Sequence, residues 1–237
     1  MEVFLFDLDG TLLPMDNDLF IEIYFKGVVT KLYPYGIDSK NFLDTIKEGI
    51  MAMIKNDGSM TNEDRFWDTV ISLHGNKARD LEPVFIDYYR NEFQEARKST
   101  KTNPLAKDCI SLLKSKGYRI ILATNPLFPS VATYNRIKWA GLEPEDFELI
   151  TTFDNSSYCK PNIRYYEEII AKQELQADKC IMVGNNVNED MIVETVGLDT
   201  FLLTDCLINP DNKDISQYKN GSIDELYQFI KNLPIIS

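Results

Sequence analysis

Two aspartates, Asp7 and Asp9, stand one residue apart behind an unbroken apolar run, Val3-Phe4-Leu5-Phe6, and Gly10 and Thr11 follow them. Such a run, with no polar alternation, marks a strand buried on both faces. On an extended chain residues i and i+2 point the same way, so both carboxylates face one pocket while Leu8 returns to the core. Gly10 lets the backbone turn sharply without a Cβ penalty. Two acids crowded at the end of a buried strand are costly unless something positive lies between them, and a divalent cation is the natural candidate. The plainer alternative is an acidic turn, for which Asp-Gly is a common pair. The rest of the chain has to decide.

Further polar groups fall at the ends of other apolar runs. Thr124-Asn125-Pro126 closes the run Arg119 to Ala123, and a hydroxyl, an amide and backbone N–H groups there could hold an anion at a helix start. Asp154-Asn155-Ser156 and then Cys159-Lys160-Pro161 follow the run Phe147 to Thr152, with Lys160 just before a helix. Gly184-Asn185-Asn186-Val187-Asn188-Glu189-Asp190 follows the run Lys179 to Val183. Taken singly, Ser, Thr and Asn at strand ends are turn or cap residues, and a lysine before proline is solvated surface. Their order and shared position are more specific, because open α/β sheets bind ligands outside the carboxyl ends of their strands.

The elements that must position these residues alternate. After residue 100, helices read from Leu105 to Lys116, Ser130 to Ala140, Ile163 to Lys172, Glu189 to Val196 and Ile223 to Asn232, between short strands that end with Thr200 to Leu203. That alternation predicts an α/β fold, a doubly wound, Rossmann-like parallel sheet, which the N-terminal strand must join. Residues 18–98 read instead as four helices. Leu19, Phe20, Ile23, Tyr24 and Val28 make one stripe; Phe42, Leu43, Ile46, Ile50, Met53 and Ile54 make a second. A third starts at the capping sequence Thr61-Asn62-Glu63-Asp64 and carries Phe66, Trp67, Val70, Ile71 and Leu73, and the fourth is Leu81 to Phe93. The expected division is an α/β core of residues 1–14 and 99–237 with a helical-bundle cap domain of residues 15–98 inserted in it. The polar stretch from Asn209 to Gly221 reads as a surface loop.

Composition narrows the function. The chain has 237 residues, 44% of them apolar, enough for a sizeable core. A net charge of -12 disfavours nucleic acid or an anionic membrane as partner, so an anionic substrate would need a locally positive site. Cys109, Cys159, Cys180 and Cys206 lack metal-ligand spacing and no signal peptide or membrane span is evident, which leads to an expectation of reduced thiols and a cytoplasmic protein. His74 is the only histidine, which removes His-based triads and His-rich metal sites.

Asp-x-Asp-Gly-Thr, then a strand ending in Thr124, then Lys160-Pro161, then Gly184 with a distal acid, resembles the haloacid dehalogenase superfamily of hydrolases. The likeness covers the whole chain, including a helical insertion after the first motif, the C1-type cap of that family. The resemblance implies that Asp7 is the nucleophile and Asp9 the acid/base. It implies that Thr124, with Asn125 beside it, binds the phosphoryl group, that Lys160 balances its charge, and that Asp190 belongs to the acidic motif on the metal side. Asp7, Asp9, Asn185 and Asp190 are the implied surroundings of a Mg²⁺ ion. An aspartyl-phosphate would split one hard displacement into two, and acid/base help is worth about 10²–10⁴-fold. Members that cleave carbon–halogen bonds lack the second acid, so Asp9 points to phosphate esters.

The sequence departs from the family in one place. An acid usually follows the glycine; here Asn185 fills that position, or Asn186 if the alignment slips by one. An amide oxygen can bind Mg²⁺ without bringing charge. Either Glu189 or Asp190 compensates, or the residue has been altered, or catalysis is reduced. The leading expectation is a Mg²⁺-dependent phosphatase acting on a small-molecule phosphate ester, with its oligomeric state left open. The alternatives are a phosphomutase, a phosphonate hydrolase using a cap amine such as Lys26, Lys31, Lys47 or Lys55, and a non-catalytic phospho-ligand-binding module. Tyr33, Tyr35, Phe66 and Trp67 could line the mouth of the cap.

Overall fold

The computed structural model describes residues 1–35 and 39–236. Six strands make one parallel sheet: β1 (Val3–Phe6), β2 (Arg119–Leu122), β3 (Leu149–Ile150), β4 (Cys180–Gly184), β5 (Asp199–Leu203) and β6 (Asn220–Gly221). Their order is β3-β2-β1-β4-β5-β6, so the chain reverses direction across the sheet between β1 and β4. Phe6 is level with both Leu122 and Val183, which brings the carboxyl ends of the three central strands to one height.

The unbroken apolar run of β1 is explained by its central place. Phe4 and Phe6 join Ile120, Leu122, Ile181 and Val183 in the larger core, while Val3 and Leu5 join Ile121, Cys180 and Met182 on the other face. Helices α5 (Pro104–Ser115), α6 (Ser130–Trp139) and α8 (Ile223–Lys231) contribute to the first core, and α7 (Ile163–Lys172) contributes Tyr165, Tyr166 and Ile169 to the second. The α/β architecture expected from the alternating pattern is present.

Between β1 and β2 lie α1 (Asn17–Leu32), α2 (Ser39–Ile54), α3 (Asn62–His74) and α4 (Glu82–Arg90). Asp16 caps α1 by accepting from the Leu19 amide, and Thr61 caps α3 by accepting from the Asp64 amide. Phe42 of the second stripe has its side chain outside the described residues. The helical block is fastened to the sheet side by aromatic contacts: Phe128 packs against Phe20 and Tyr24, with centroids 6.1 and 5.3 Å away, and Trp139 packs against Phe93 at 5.1 Å.

Several boundaries differ from those expected. The third strand shrinks from Phe147–Thr152 to two residues because, at the sheet edge, it pairs only with β2. Glu189 to Val196 is not an α-helix: Met191–Val196 winds as 3₁₀ turns, in keeping with its β-branched content and the left-handed Gly197 that closes it. The fourth helix shortens to Glu82–Arg90, with 3₁₀ turns at Asn76–Leu81 and Glu92–Ser99. Within the supposed loop, Asn220–Gly221 forms β6, an edge strand held through its backbone: the Leu202 amide donates to the Lys219 carbonyl and that of Thr204 to the Gly221 carbonyl. Nothing in an Asn-Gly pair signals a strand.

Candidate active site

The switch point between β1 and β4 is where Asp7 emerges. Its backbone N–H still donates to the Val183 carbonyl at 2.9 Å, so the sheet fixes the residue from which the carboxylate projects. A tight turn follows, in which the amides of Thr11 and Leu13 both donate to the Leu8 carbonyl. Gly10 has φ of +83°, and a Cβ there would fall 2.2 Å from Asn185 Nδ2; the turn and the end of β4 fit together only around glycine. The Thr11 hydroxyl shares its proton between Asp7 Oδ2 at 3.0 Å and Asn185 Oδ1 at 3.2 Å.

Lys160 is buried with its ammonium between two acids. Nζ donates to Asp7 Oδ1 at 2.9 Å and to Asp190 Oδ1 at 2.6 Å. Burial works against the charge, but the carboxylates of Asp190 and Asp7 outweigh it and hold the lysine well above its usual value. Asp190 is fully occupied, since its other oxygen accepts from the Asn186 amide at 3.0 Å. A Cβ at Gly184 would fall 2.2 Å from that carboxylate, so the glycine makes room for Asp190.

Asp7, Asp9, Thr124, Asn125, Asn185 and Asp190 all line one cleft of about 350 Å³, the size of a small-molecule site. Lys160 lies behind Asp7, buried. The Thr124 carbonyl is fixed by the hydroxyls of Thr151 and Tyr165 at 2.7 and 2.9 Å. Asn125 donates through Nδ2 to Glu189 at 3.3 Å, and its buried Oδ1 has no hydrogen-bond partner. Asn185 donates to the Cys206 carbonyl at 2.6 Å. Asn186 spends its amide oxygen on the backbone N–H groups of Asn188 and Glu189, closing the loop.

Sequence reasoning missed one charged partner. Arg136, from α6, reaches Asp9 and pairs its guanidinium with Oδ2. Burial pushes the Asp9 carboxyl above the ordinary range; Arg136 opposes that and Asp7 adds to it. Ala132, Thr133, Arg136, Ile137 and Trp139 are the buried residues of this helix, and a buried arginine needs an acid, but the sequence alone shows neither its burial nor its partner.

Other expected contributors lie elsewhere. Tyr33 and Tyr35 are exposed, and Phe66 and Trp67 are packed in the core of the helical block, so this aromatic set does not line the cleft. None of Lys26, Lys31, Lys47 and Lys55 is among the residues of the cleft, and Lys31 is engaged with Asp87 and Glu92. The amine that a Schiff base would need is not supplied by those four.

A parallel sheet with acids at its switch point, and an ammonium held behind the leading one, is that of a Rossmann-like α/β protein whose polar site lies at the carboxyl ends of the strands. A family model for haloacid dehalogenase-like hydrolases matches residues 1–193, and the chain belongs to that family. It is 25% identical over 219 residues to a glyceraldehyde 3-phosphate phosphatase of Methanothermobacter thermautotrophicus, covering 91% of this chain and 90% of the relative. It is 22% identical to a phosphoglycolate phosphatase of Colwellia psychrerythraea, covering 86% and 84% of the two chains. Among solved structures, the HAD-hydrolase YfnB of Bacillus subtilis, bound to magnesium, superposes with a TM-score of 0.57 at 21% identity, over 97% of this chain and 98% of that one; this likeness speaks to the fold alone.

Proposed function

We propose that this hydrolase is a Mg²⁺-dependent phosphatase that cleaves a small phosphate ester through an aspartyl-phosphate on Asp7, with residues 15–98 serving as its cap. The observation that carries the reading is the Lys160 bridge from Asp190 to Asp7, at the carboxyl end of the central strand and with Asp9 retained beside it. Lys160 orients Asp7 and offsets its repulsion of an incoming phosphate. Thr124 and Asn125 offer the hydroxyl and amide contacts for the phosphoryl oxygens. Asp9, with its raised pKa, is suited to give a proton to the departing alkoxide and to take one from the attacking water. Asp190 acts through Lys160.

A hard cation takes oxygen ligands, and the donors that meet at the Thr11 hydroxyl are oxygens of Asp7 and Asn185, so the residues fit Mg²⁺. Among the described residues no group of three or more His, Cys, Asp or Glu is arranged to hold a metal. That follows from the commitment of Asp9 to Arg136 and of Asp190 to Lys160, and from the neutral Asn185. Asp7 and Asn185 would hold the ion, with Asp9 on the same turn. When bound, it supplies charge stabilisation to the transferring phosphoryl group.

The rest of the cleft bears on the substrate. Met15, Phe20, Ile21, Leu127 and Ile208 give it an apolar wall, Glu189 adds an acid, and its described lining includes no Lys, Arg or His. A second anionic group on the substrate would meet Glu189 without a counter-charge. The leaving group is therefore small and uncharged, as in a triose phosphate, in preference to a phosphorylated carboxylic acid.

Steady-state assays of glyceraldehyde 3-phosphate, glycerol 3-phosphate and 2-phosphoglycolate, with Mg²⁺ and with EDTA, test both levels. Expected are Mg²⁺-dependent turnover, preference for the uncharged leaving groups, and a loss beyond about 10³-fold in Asp7→Asn. Preference for 2-phosphoglycolate would overturn the substrate class alone. Ligand binding without turnover at any Mg²⁺ concentration would leave the non-catalytic reading, which rests on the neutral Asn185.

A further inference from the structure

Arg136 is buried in α6, with its side chain 1% exposed, and every contact of its guanidinium is directional. One terminal nitrogen pairs with Asp9 Oδ2, and the other donates to Thr133 Oγ1 at 3.3 Å. The guanidinium carbon stands over the Phe128 ring, 4.6 Å from its centroid, within cation–π range. Phe128 is itself wedged against Phe20 and Tyr24 of α1 and Tyr89 of α4. The arginine therefore has little freedom, and neither has the oxygen it holds. Nε and Asp9 Oδ1 are both shielded from solvent with no hydrogen-bond partner. Removing an ion pair of this kind from water is costly, and apolar residues of similar volume would fill the space at least as well. A pair held this rigidly is poor stability design but a sound way to fix the orientation of a proton carrier.

We propose that Arg136 is a positioning residue for Asp9: by holding Oδ2 it fixes the orientation of the carboxyl group that gives and takes the proton. The proposal rests on the phosphatase reading. In the first step Asp7 attacks phosphorus, the ester P–O bond breaks, and the proton on the Asp9 carboxyl passes to the departing alkoxide oxygen, yielding the alcohol. In the second, water attacks the phosphorus of the aspartyl-phosphate, Asp9 takes one of its protons, and the bond to Asp7 breaks to release phosphate. Arg136 acts through the carboxylate it holds.

The test compares kcat/KM, which reports the steps up to release of the alcohol, for p-nitrophenyl phosphate and for glycerol 3-phosphate. The first has a leaving group stable as an anion, and the second needs the proton. Arg136→Met is expected to lose about 10²-fold or more on glycerol 3-phosphate and less than about tenfold on p-nitrophenyl phosphate, with Arg136→Lys recovering part of the loss. In the Asp9→Asn background, adding Arg136→Met should change glycerol 3-phosphate turnover less than about twofold, since the residue through which Arg136 acts is already gone. Equal losses on the two esters, or an undiminished further loss in the double variant, overturns the proposal. Should Arg136→Met not fold, Arg136→Lys, which keeps a buried charge opposite Asp9, is read by the same two comparisons. If the wild-type protein hydrolyses none of these esters, glyceraldehyde 3-phosphate and 2-phosphoglycolate included, with Mg²⁺ present, the phosphatase reading fails and takes this inference with it.

Discussion

Asn185 is the residue on which the proposed Mg²⁺ affinity turns. Its amide does two jobs that a carboxylate could not do together: Oδ1 accepts from Thr11 and Nδ2 donates to the Cys206 carbonyl. Asn185→Asp sets a carboxylate oxygen against that carbonyl, and without metal it is expected to lower stability by about 1–3 kcal/mol. With Mg²⁺ the added charge should tighten binding roughly tenfold. Asn186→Asp is the control, because its oxygen is already spent on two loop amides and the change should leave Mg²⁺ affinity within about twofold. Calorimetric titration of the two variants decides the matter; tighter binding in Asn186→Asp alone would move the ligand position by one residue. Asp7, Asp9, Thr124 and Lys160 were legible as candidates because they fall, in that order, after successive apolar runs, a pattern that the sequence shows directly. Arg136 was not, because the acid it answers lies far back in the chain and only the fold brings them together.

At the scale of elements, the start of α3 ties the helical block to the loops that carry the site. Asn62 is fully buried, and its Nδ2 lies 3.3 Å from the carbonyls of Pro126 and Tyr158 and from Cys159 Sγ, while its Oδ1 accepts from Asn56 at 2.9 Å. Its backbone N–H donates to Ser156 and that of Glu63 to Phe153. Pro126 follows Thr124 and Cys159 precedes Lys160, so these bonds brace the loops after β2 and β3. Asn62→Ala leaves buried carbonyls without a donor, and urea unfolding should show a loss of about 1–3 kcal/mol. Thr61→Ala, next to it but on the exposed cap, should cost about 1 kcal/mol. If Asn62→Ala proves the milder of the two, the brace has no energetic weight. The capped start of α3 was legible from Thr61-Asn62-Glu63-Asp64, since capping is a local interaction; the inward turn of Asn62 was not, because its partners come from other loops. The 3₁₀ turn after Asp190 and the backbone-held β6 escaped notice for a similar reason. Both depend on neighbours more than on periodicity.

Across the whole molecule, burial decides which groups can react and which charges can be felt. Cys109, Cys159 and Cys180 are buried, and burial pushes the first two thiols up to about 12 and the third to about 11, whereas Cys206 is half-exposed. At pH 8 the buried thiolate fraction is about 10⁻³ or less, so iodoacetamide should label Cys206 in the native protein and all four cysteines after denaturation. Rapid native labelling of Cys159 would show that the loop before Lys160 opens freely. The same burial sets the field that an anion meets. The protein carries a net charge of -12, and the two cations nearest the cleft are already matched, Lys160 by Asp7 and Asp190, and Arg136 by Asp9. Glu189 adds another acid to the wall. A phosphate dianion entering alone therefore finds no uncommitted positive charge among the lining residues, and a cation entering first changes the sign of the local field. Binding of metal and of phosphate should be coupled, and coupling between two ligands is reciprocal. In thermal melts, millimolar inorganic phosphate with EDTA present should move Tm by less than about 1 °C, whereas phosphate with Mg²⁺ should move it by more than the sum of the separate shifts. A full shift from phosphate alone would mean that Lys160 leaves its carboxylates to meet the anion, and that the site is positive before any metal arrives.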